Sequence, residues 1–91
     1  MKNVRFNDHK AAACYKRLNA NGNVRALVSY ATTVIEIDEE GWLIVHGLYS
    51  MTTIKHIGWF MRELGYSYMT AKHLYNKGLQ MNIYTGEVKA I

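Results

Sequence analysis

Three hydroxyl side chains and one imidazole occur close together near the middle of the chain. Ser50, Thr52, Thr53 and His56 lie in the stretch 47–57, where a strand is predicted to end and a helix to begin. On a helix, Thr52 and His56 are four residues apart on one face, which would allow the hydroxyl–imidazole contact of a nucleophile and its base. A working triad also needs an orienting acid and an oxyanion site. Glu63 is two turns from His56, too distant to hold the ring, so we expect no catalytic residue and no enzyme.

A helix start explains the same residues without catalysis. Ser50 is a good N-cap, because its hydroxyl can accept from the free amides of the first turn. Thr52 or Thr53 would support the cap, and His56 would bond the neighbouring strand or loop. Together with Tyr49 these residues are predicted to form a structural motif that fixes a rigid corner between strand and helix.

Metal and nucleotide sites are not expected. The histidines have no His-x-x-x-His spacing, and the single cysteine excludes a Cys-x-x-Cys pair. His46 and His56 flank the junction and could converge, but two nitrogens are too few for a closed zinc site. No phosphate-binding glycine motif occurs. We therefore predict no metal site and no cofactor.

Length, cysteine content and hydropathy define the class of protein. A chain of 91 residues predicts a single domain over residues 1–91. Cys14 has no internal disulfide partner, which favours a reducing compartment. No signal segment opens the chain and no apolar run approaches about 18 residues. These features predict a cytoplasmic protein that makes no contact with membranes.

The net charge of +4 is unevenly distributed. Residues 1–30 carry +5, residues 31–50 carry −4, and residues 51–91 carry +3. A basic surface favours nucleic acid or an acidic protein as partner, and the alternative is a mixed, solvated surface without a partner.

The first half of the chain is predicted to form a meander. A turn at 19–23 separates the run 11–18 from a strand that begins at Val24. The run 11–18 is ambiguous between helix and strand, and we predict a strand. The stretch 27–37 is predicted as one strand, with Thr33, Ile35 and Ile37 facing the core and Thr32, Val34 and Glu36 facing away. After a turn at Gly41, residues 42–48 return with Leu43 and Val45 inward and Trp42, Ile44 and His46 on the opposite face.

The second half is predicted to contain two helices and a strand. Ile54, Ile57, Met61 and Leu64 form an apolar stripe with Phe60 at its border, and Gly65 ends this helix. A short helix over 69–77 ends at Gly78, and residues 79–84 alternate as a strand. The predicted fold is α+β: an antiparallel sheet, as a three-stranded meander plus a possible C-terminal strand, packed against one long and one short helix.

Part of the chain resembles a known family. The matching residues are Ser29-Tyr30-x-Thr32-x-Val34, then Ile37-Asp38, Gly41, and Gly47-x-Tyr49-Ser50-x-Thr52-Thr53-x-x-His56-Ile57-x-x-Phe60-x-x-x-x-Gly65. This pattern, over roughly residues 24–65, resembles a small family of uncharacterised domains found in bacteriophages and in prophage regions of Gram-positive bacteria. The resemblance implies a phage or mobile-element accessory protein that acts in a bacterial cytoplasm.

Aromatic and basic side chains point to a binding surface. Trp, Tyr and Arg anchor protein interfaces, and the chain has more large aromatics than one small core can easily bury. The predicted partner-binding residues are Trp42, Lys55, Trp59, Arg62, Tyr66, Tyr68 and Lys72. Some of these aromatics could instead form the back of the core or a homodimer seam.

Two functions of different classes follow. The first is a non-catalytic, phage-encoded protein that inhibits a host protein or ribonucleoprotein machine, in its sharpest form a bacterial defence complex, as anti-CRISPR proteins do. The alternative is a basic nucleic-acid-binding accessory protein that uses Lys55, Arg62, Lys72 and Lys77. The two helices could also form a helix-turn-helix, although a packed helical corner is favoured. An enzyme centred on His56 is kept as a third hypothesis.

Overall fold

The computed structural model describes residues 2–4 and 14–91, with side chains described from residue 16 onward. The described chain forms one antiparallel sheet whose seven strands lie in chain order, with two helices inserted between the fifth and sixth strands. The elements are β1 (Lys2–Val4), β2 (Cys14–Leu18), β3 (Val24–Ser29), β4 (Thr32–Ile37), β5 (Trp42–Val45), α1 (Met51–Glu63), α2 (Tyr68–Lys77), β6 (Leu79–Asn82) and β7 (Val88–Ala90). The α+β prediction is confirmed, and the sheet has more strands than the predicted meander.

The prediction of a single strand over 27–37 is wrong, because the chain reverses at Tyr30 and Ala31. Ser29 pairs with Thr32 across this two-residue turn. Tyr30 has φ 55° and Ala31 has φ 82°. Tight hairpin turns need positive φ, which glycine and asparagine normally supply. The turn lacks both residue types, so the sequence carried no signal for it.

The predicted hairpin at 19–23 is confirmed. β2 pairs with β3, and the Asn19 side chain accepts from the backbone amides of Asn21 (2.9 Å) and Asn23 (3.0 Å). The first arm is therefore a strand over Cys14–Leu18. The rest of the ambiguous run, residues 11–13, lies outside the described residues.

A β-bulge changes which residues of β4 face the core. The register shifts between Leu27 and Val28, which leaves Val34 without a pairing partner between Thr33 and Ile35. Val34 and Ile35 are both fully buried in the core, because a bulge turns two consecutive side chains to one side. The prediction of Val34 outward and Thr33 inward is therefore wrong.

The pairing of β4 with β5 is confirmed as predicted. Ile35 lies opposite Val45 and Ile37 lies opposite Leu43, and all four are buried. Trp42, which precedes Leu43, points to the other face of the sheet, where the Nζ atom of Lys89 lies 4.1 Å from its ring centroid.

The helix α1 is rotated slightly from the predicted orientation. Its buried face consists of Thr53, His56, Ile57, Phe60 and Met61. Phe60 is 1% exposed and lies in the core cluster instead of at its border, whereas Ile54 and Leu64 are half-buried. The inward face therefore centres on the 53/57/60 positions, because helical faces follow a 3.6-residue period.

The C-terminus of α1 has the predicted glycine stop. Gly65 has φ 91°, its amide donates to the carbonyl of Arg62 (3.0 Å), and the amide of Tyr66 donates to the carbonyl of Met61 (2.8 Å). These two bonds form a Schellman motif, which satisfies carbonyls that the helix leaves free.

The C-terminal elements agree in part with the sequence. α2 begins at Tyr68, one residue earlier than predicted, and ends at Gly78 with φ 66°. The strand after it is shorter than predicted and ends at Asn82, whose side-chain oxygen accepts from the amides of Tyr84 (2.9 Å) and Thr85 (3.1 Å). The strand β7 was not predicted. Both helices pack on the same side of the sheet, α1 against β3 and α2 against β5 and β6.

Gly58 offers a test of the helix packing. It lies inside α1, and a Cβ atom added there would lie 3.8 Å from the Cβ of Tyr68, which is an ordinary van der Waals distance. Glycine destabilises a helix interior by roughly 0.5–1 kcal/mol relative to alanine. We expect Gly58→Ala to raise the free energy of unfolding by about that amount in a urea titration. The matched control Gly65→Ala should lower it, because φ at that position is positive. A destabilised Gly58→Ala would contradict this packing.

Candidate functional site

The residues of the predicted structural motif meet the β3–β4 turn. The Ser29 hydroxyl lies 2.8 Å from Nδ1 of His56 and 3.2 Å from Oγ1 of Thr53. The Ser50 hydroxyl accepts from the backbone amide of Thr53 (3.3 Å) and donates to its Oγ1 (3.3 Å). We call Ser29, Ser50, Thr53 and His56 the hydroxyl cluster. It joins strand, loop and helix at one point.

The roles predicted for these residues are largely confirmed. Ser50 is the N-cap of α1, with extended backbone and a hydroxyl that accepts from Thr53. Thr53, one of the two candidates, supports the cap, whereas Thr52 is exposed. His56 bonds the neighbouring strand as predicted, but through the side chain of Ser29 and not through backbone.

Three members of the hydroxyl cluster are closed to substrates, whereas Ser50 is exposed. Ser29 and His56 are each 2% exposed, and Thr53 is also buried. Burial lowers the pKa of His56, because desolvation disfavours the charged imidazolium. The described hydrogen bond of His56 goes to a hydroxyl, and no carboxylate among the described residues orients the ring. A buried serine–histidine pair with no described carboxylate beside it lacks two features of an acyl-transfer site.

Two exposed tyrosines flank the hydroxyl cluster. Tyr30 follows Ser29 and Tyr49 precedes Ser50, and because both serines contact Thr53, the two tyrosines lie at the same end of α1. Tyr30 is 57% exposed and Tyr49 is 61% exposed. Both adopt positive φ, at 55° and 51°. The neighbouring Met51 is also strongly exposed. We call Tyr30, Tyr49 and Met51 the tyrosine surface.

The tyrosine surface is held from below by close contacts. The Tyr30 ring centroid lies 5.8 Å from that of His56, which in turn lies 5.3 Å from the Trp59 ring. The Tyr49 ring packs on the backbone of Gly47, since a Cβ there would lie 2.9 Å from the ring. Both rings are therefore supported and outward-facing.

The predicted partner-binding residues do not form one surface. Lys55, Arg62 and Lys72 are exposed on the helices, and Tyr66 and Tyr68 are half-buried against the core. Trp59 is half-buried beside His56. Trp42 is 9% exposed and lies on the opposite side of the sheet, beneath Lys89.

Ser29 and Tyr30 were missed as site residues. Their signal was present, because Ser29-Tyr30 opens the family-like pattern that Tyr49-Ser50 continues. The two halves of this pattern are 20 residues apart in sequence and adjacent in the fold. Only the unpredicted turn at Tyr30 and Ala31 brings them together.

In the described part of the chain, no three His, Cys, Asp or Glu side chains converge on a position that could hold a metal ion. Neither helix has the length and apolar content that crossing a bilayer requires.

Comparison with known proteins identifies the family. The model of a family of unknown function, DUF8033, matches residues 1–83. The chain belongs to this family. The DUF8033 match extends well beyond the stretch 24–65 that carries the resemblance and includes both the hydroxyl cluster and the tyrosine surface. It ends before β7. No curated protein and no solved structure matches the chain.

The buried His56 predicts a dependence of stability on pH. Its pKa lies below the usual 6.5 in the folded state, so in that range the unfolded chain binds more protons. The free energy of unfolding should have its full value above about pH 6.5. It should decrease as the pH is lowered further, by at most about 1.4 kcal/mol per pH unit. Urea titrations at about pH 7.5 and about pH 5.5 measure this difference.

The variants His56→Gln and His73→Gln test whether His56 causes the loss of stability at low pH. His73 lies exposed on α2. We expect the pH-dependent loss to shrink in His56→Gln and to persist in His73→Gln. The reverse pattern would show that another group causes it.

Proposed function

We propose that this DUF8033 protein is a non-catalytic binding protein of phage origin that inhibits a host machine, in its sharpest form a bacterial defence complex as anti-CRISPR proteins do. The tyrosine surface supports this proposal most strongly. The phage origin rests on the resemblance of the motif residues to phage and prophage domains.

The hydroxyl cluster argues against an enzyme centred on His56. Its reactive atoms bond one another, and Ser29 and His56 are almost fully buried. A substrate carbonyl would need to reach the Ser29 hydroxyl from solvent, which the packing of Tyr30 and Trp59 around His56 opposes. The cluster instead fixes the backbone that displays the tyrosines.

Backbone strain at the tyrosines supports a binding role. A residue other than glycine costs about 1–2 kcal/mol in the left-handed region. Tyr30 and Ala31 both adopt it in one turn, and Tyr49 adopts it in the loop between β5 and α1. Such strain concentrates at functional sites, where a fixed geometry matters more than stability. The protein keeps large aromatic rings where asparagine or glycine would fold more easily.

The chemistry of the tyrosine surface fits a protein partner. Tyrosine provides a large contact area at a low cost in side-chain entropy, and it is common among binding hot spots. Tyr30, Tyr49 and Met51 carry no charge, which suits the apolar centre of an interface better than a phosphate backbone.

A pair of substitutions in one turn tests this surface. Tyr30→Asn removes the ring but keeps a residue that tolerates positive φ, so the fold should be retained. We expect it to weaken capture of the host complex from a Gram-positive bacterial lysate by at least about tenfold, as loss of a hot spot does. The measurement is a nuclease-treated pull-down with a dilution series, followed by mass spectrometry.

Ala31→Gly is the matched control. It relieves φ 82° in the same turn without altering the ring, so capture should stay unchanged while stability rises by up to about 1 kcal/mol. Equal capture by wild type and Tyr30→Asn would exclude the tyrosine surface as the interface. Self-association that Tyr30→Asn abolishes would instead assign the surface to a homodimer.

A further inference from the structure

The outer side of the helical layer carries one sign of charge. Between residues 51 and 78 the cations are Lys55, Arg62, Lys72 and Lys77, and the only acid is Glu63. The Glu63 carboxylate binds the Nζ atom of Lys16 at 2.6 Å, so its charge is already compensated. The four cations remain the dominant charges on this layer, and we call them the basic helical surface.

These four cations are exposed and make no described ion pair. All four are exposed on α1 or α2. The ion pairs found among the described residues are Lys16–Glu63 and His46–Glu36, and neither includes them. The acidic turn 38–40 joins β4 and β5 and is distant from the helices in sequence. The backbone carbonyl of Asp38 in this turn accepts a hydrogen bond from the Arg25 guanidinium. The acidic turn therefore lies outside the two helices that carry the four cations.

The positions of the cations follow the helices. Lys55 and Arg62 are seven residues apart on α1, which places them on one stripe about 10 Å long. α2 packs beside α1 at Gly58, where the Cβ of Tyr68 is close, and Lys72 lies one turn after Tyr68. Arg62 and Lys77 also lie in the last turns, where cations interact favourably with the helix dipole. Lys55 and Lys72 have no such local role.

The residue types favour phosphate over protein. Three of the four cations are lysines, which are depleted from the centres of protein interfaces and bind phosphates as point charges. The half-exposed Tyr75 and the half-buried Tyr68 lie on α2 among the lysines, and aromatic rings between cations suit nucleic acid. A surface built for an acidic protein would be expected to use arginine more.

We propose that the basic helical surface binds the phosphate backbone of nucleic acid, independently of base sequence. Lys55, Arg62, Lys72 and Lys77 are the contacting side chains. The tyrosine surface lies at the amino end of α1, where Met51 is one turn from Lys55, and it contributes none of these four cations. The two surfaces together would let the protein engage a nucleic-acid-loaded host machine at two points.

Salt dependence measured by fluorescence anisotropy tests this proposal. The probes are a labelled short DNA duplex and the same sequence as a single strand. Four phosphate contacts predict that affinity for the duplex falls about 100-fold between about 50 mM and about 200 mM salt. Lys72→Gln should weaken binding and reduce the slope of log affinity against log salt by about 1.

Lys89→Gln is the matched control, because it removes one positive charge, as Lys72→Gln does, but on the opposite side of the sheet. It should leave the slope of log affinity against log salt unchanged. Tyr30→Asn should leave oligonucleotide binding unchanged, so failure of this proposal can be distinguished from failure of the proposed protein interface at the tyrosine surface. Thermal unfolding checks that each variant is folded. Absence of binding to both probes at low salt, or equal losses in Lys72→Gln and Lys89→Gln, would overturn the proposal. So would a captured acidic protein that survives nuclease and is lost in Lys72→Gln.

Discussion

The hydrogen bonds from Ser29 to His56 and Thr53 fix the position of the first helix on the sheet. They connect the last residue of β3 to the buried face of α1, in a region where the other contacts are apolar and without direction. Buried polar groups must find partners, so an α1 that rotated by one residue would lose both bonds. The network therefore selects one orientation of the helix. The Ser50 cap ties the preceding loop to the same atoms.

The cost of this arrangement appears in the backbone. Among the described residues, three other than glycine adopt positive φ. Tyr30 and Tyr49 adjoin serines of the hydroxyl cluster, and Ala31 is two residues from Ser29. Strained backbone persists only where the surroundings over-determine it. The buried hydrogen bonds provide that constraint, and the rings of Tyr30 and Tyr49 are consequently presented in fixed positions. Rigid display reduces the entropy that a binding surface loses when it meets its partner.

Local signals in the sequence predicted the features that depend on neighbouring residues. The Ser50 cap and the glycine stops of both helices are of this kind, because a cap or a left-handed residue is a property of a few consecutive positions. The turn at Tyr30 and Ala31 could not be predicted, since the fold imposes its conformation against residue preference. The bulge at Val34 is likewise a property of the pairing between two strands. The exposure of Tyr30 depends on that turn, so the sequence did not indicate a surface at the amino end of α1.

The order of the strands has a consequence for the way the protein is made. Each strand from β2 to β5 pairs with the strand synthesised just before it, so the sheet can extend as the chain emerges. β6 then arrives only after residues 46–78 have been made. Until that point the edge of β5 is unpaired and carries Trp42 to Val45, an apolar strand of the kind that recruits foreign chains. α2 is synthesised before β6 and packs against β5. It can therefore cover part of this apolar strand before the pairing partner is made.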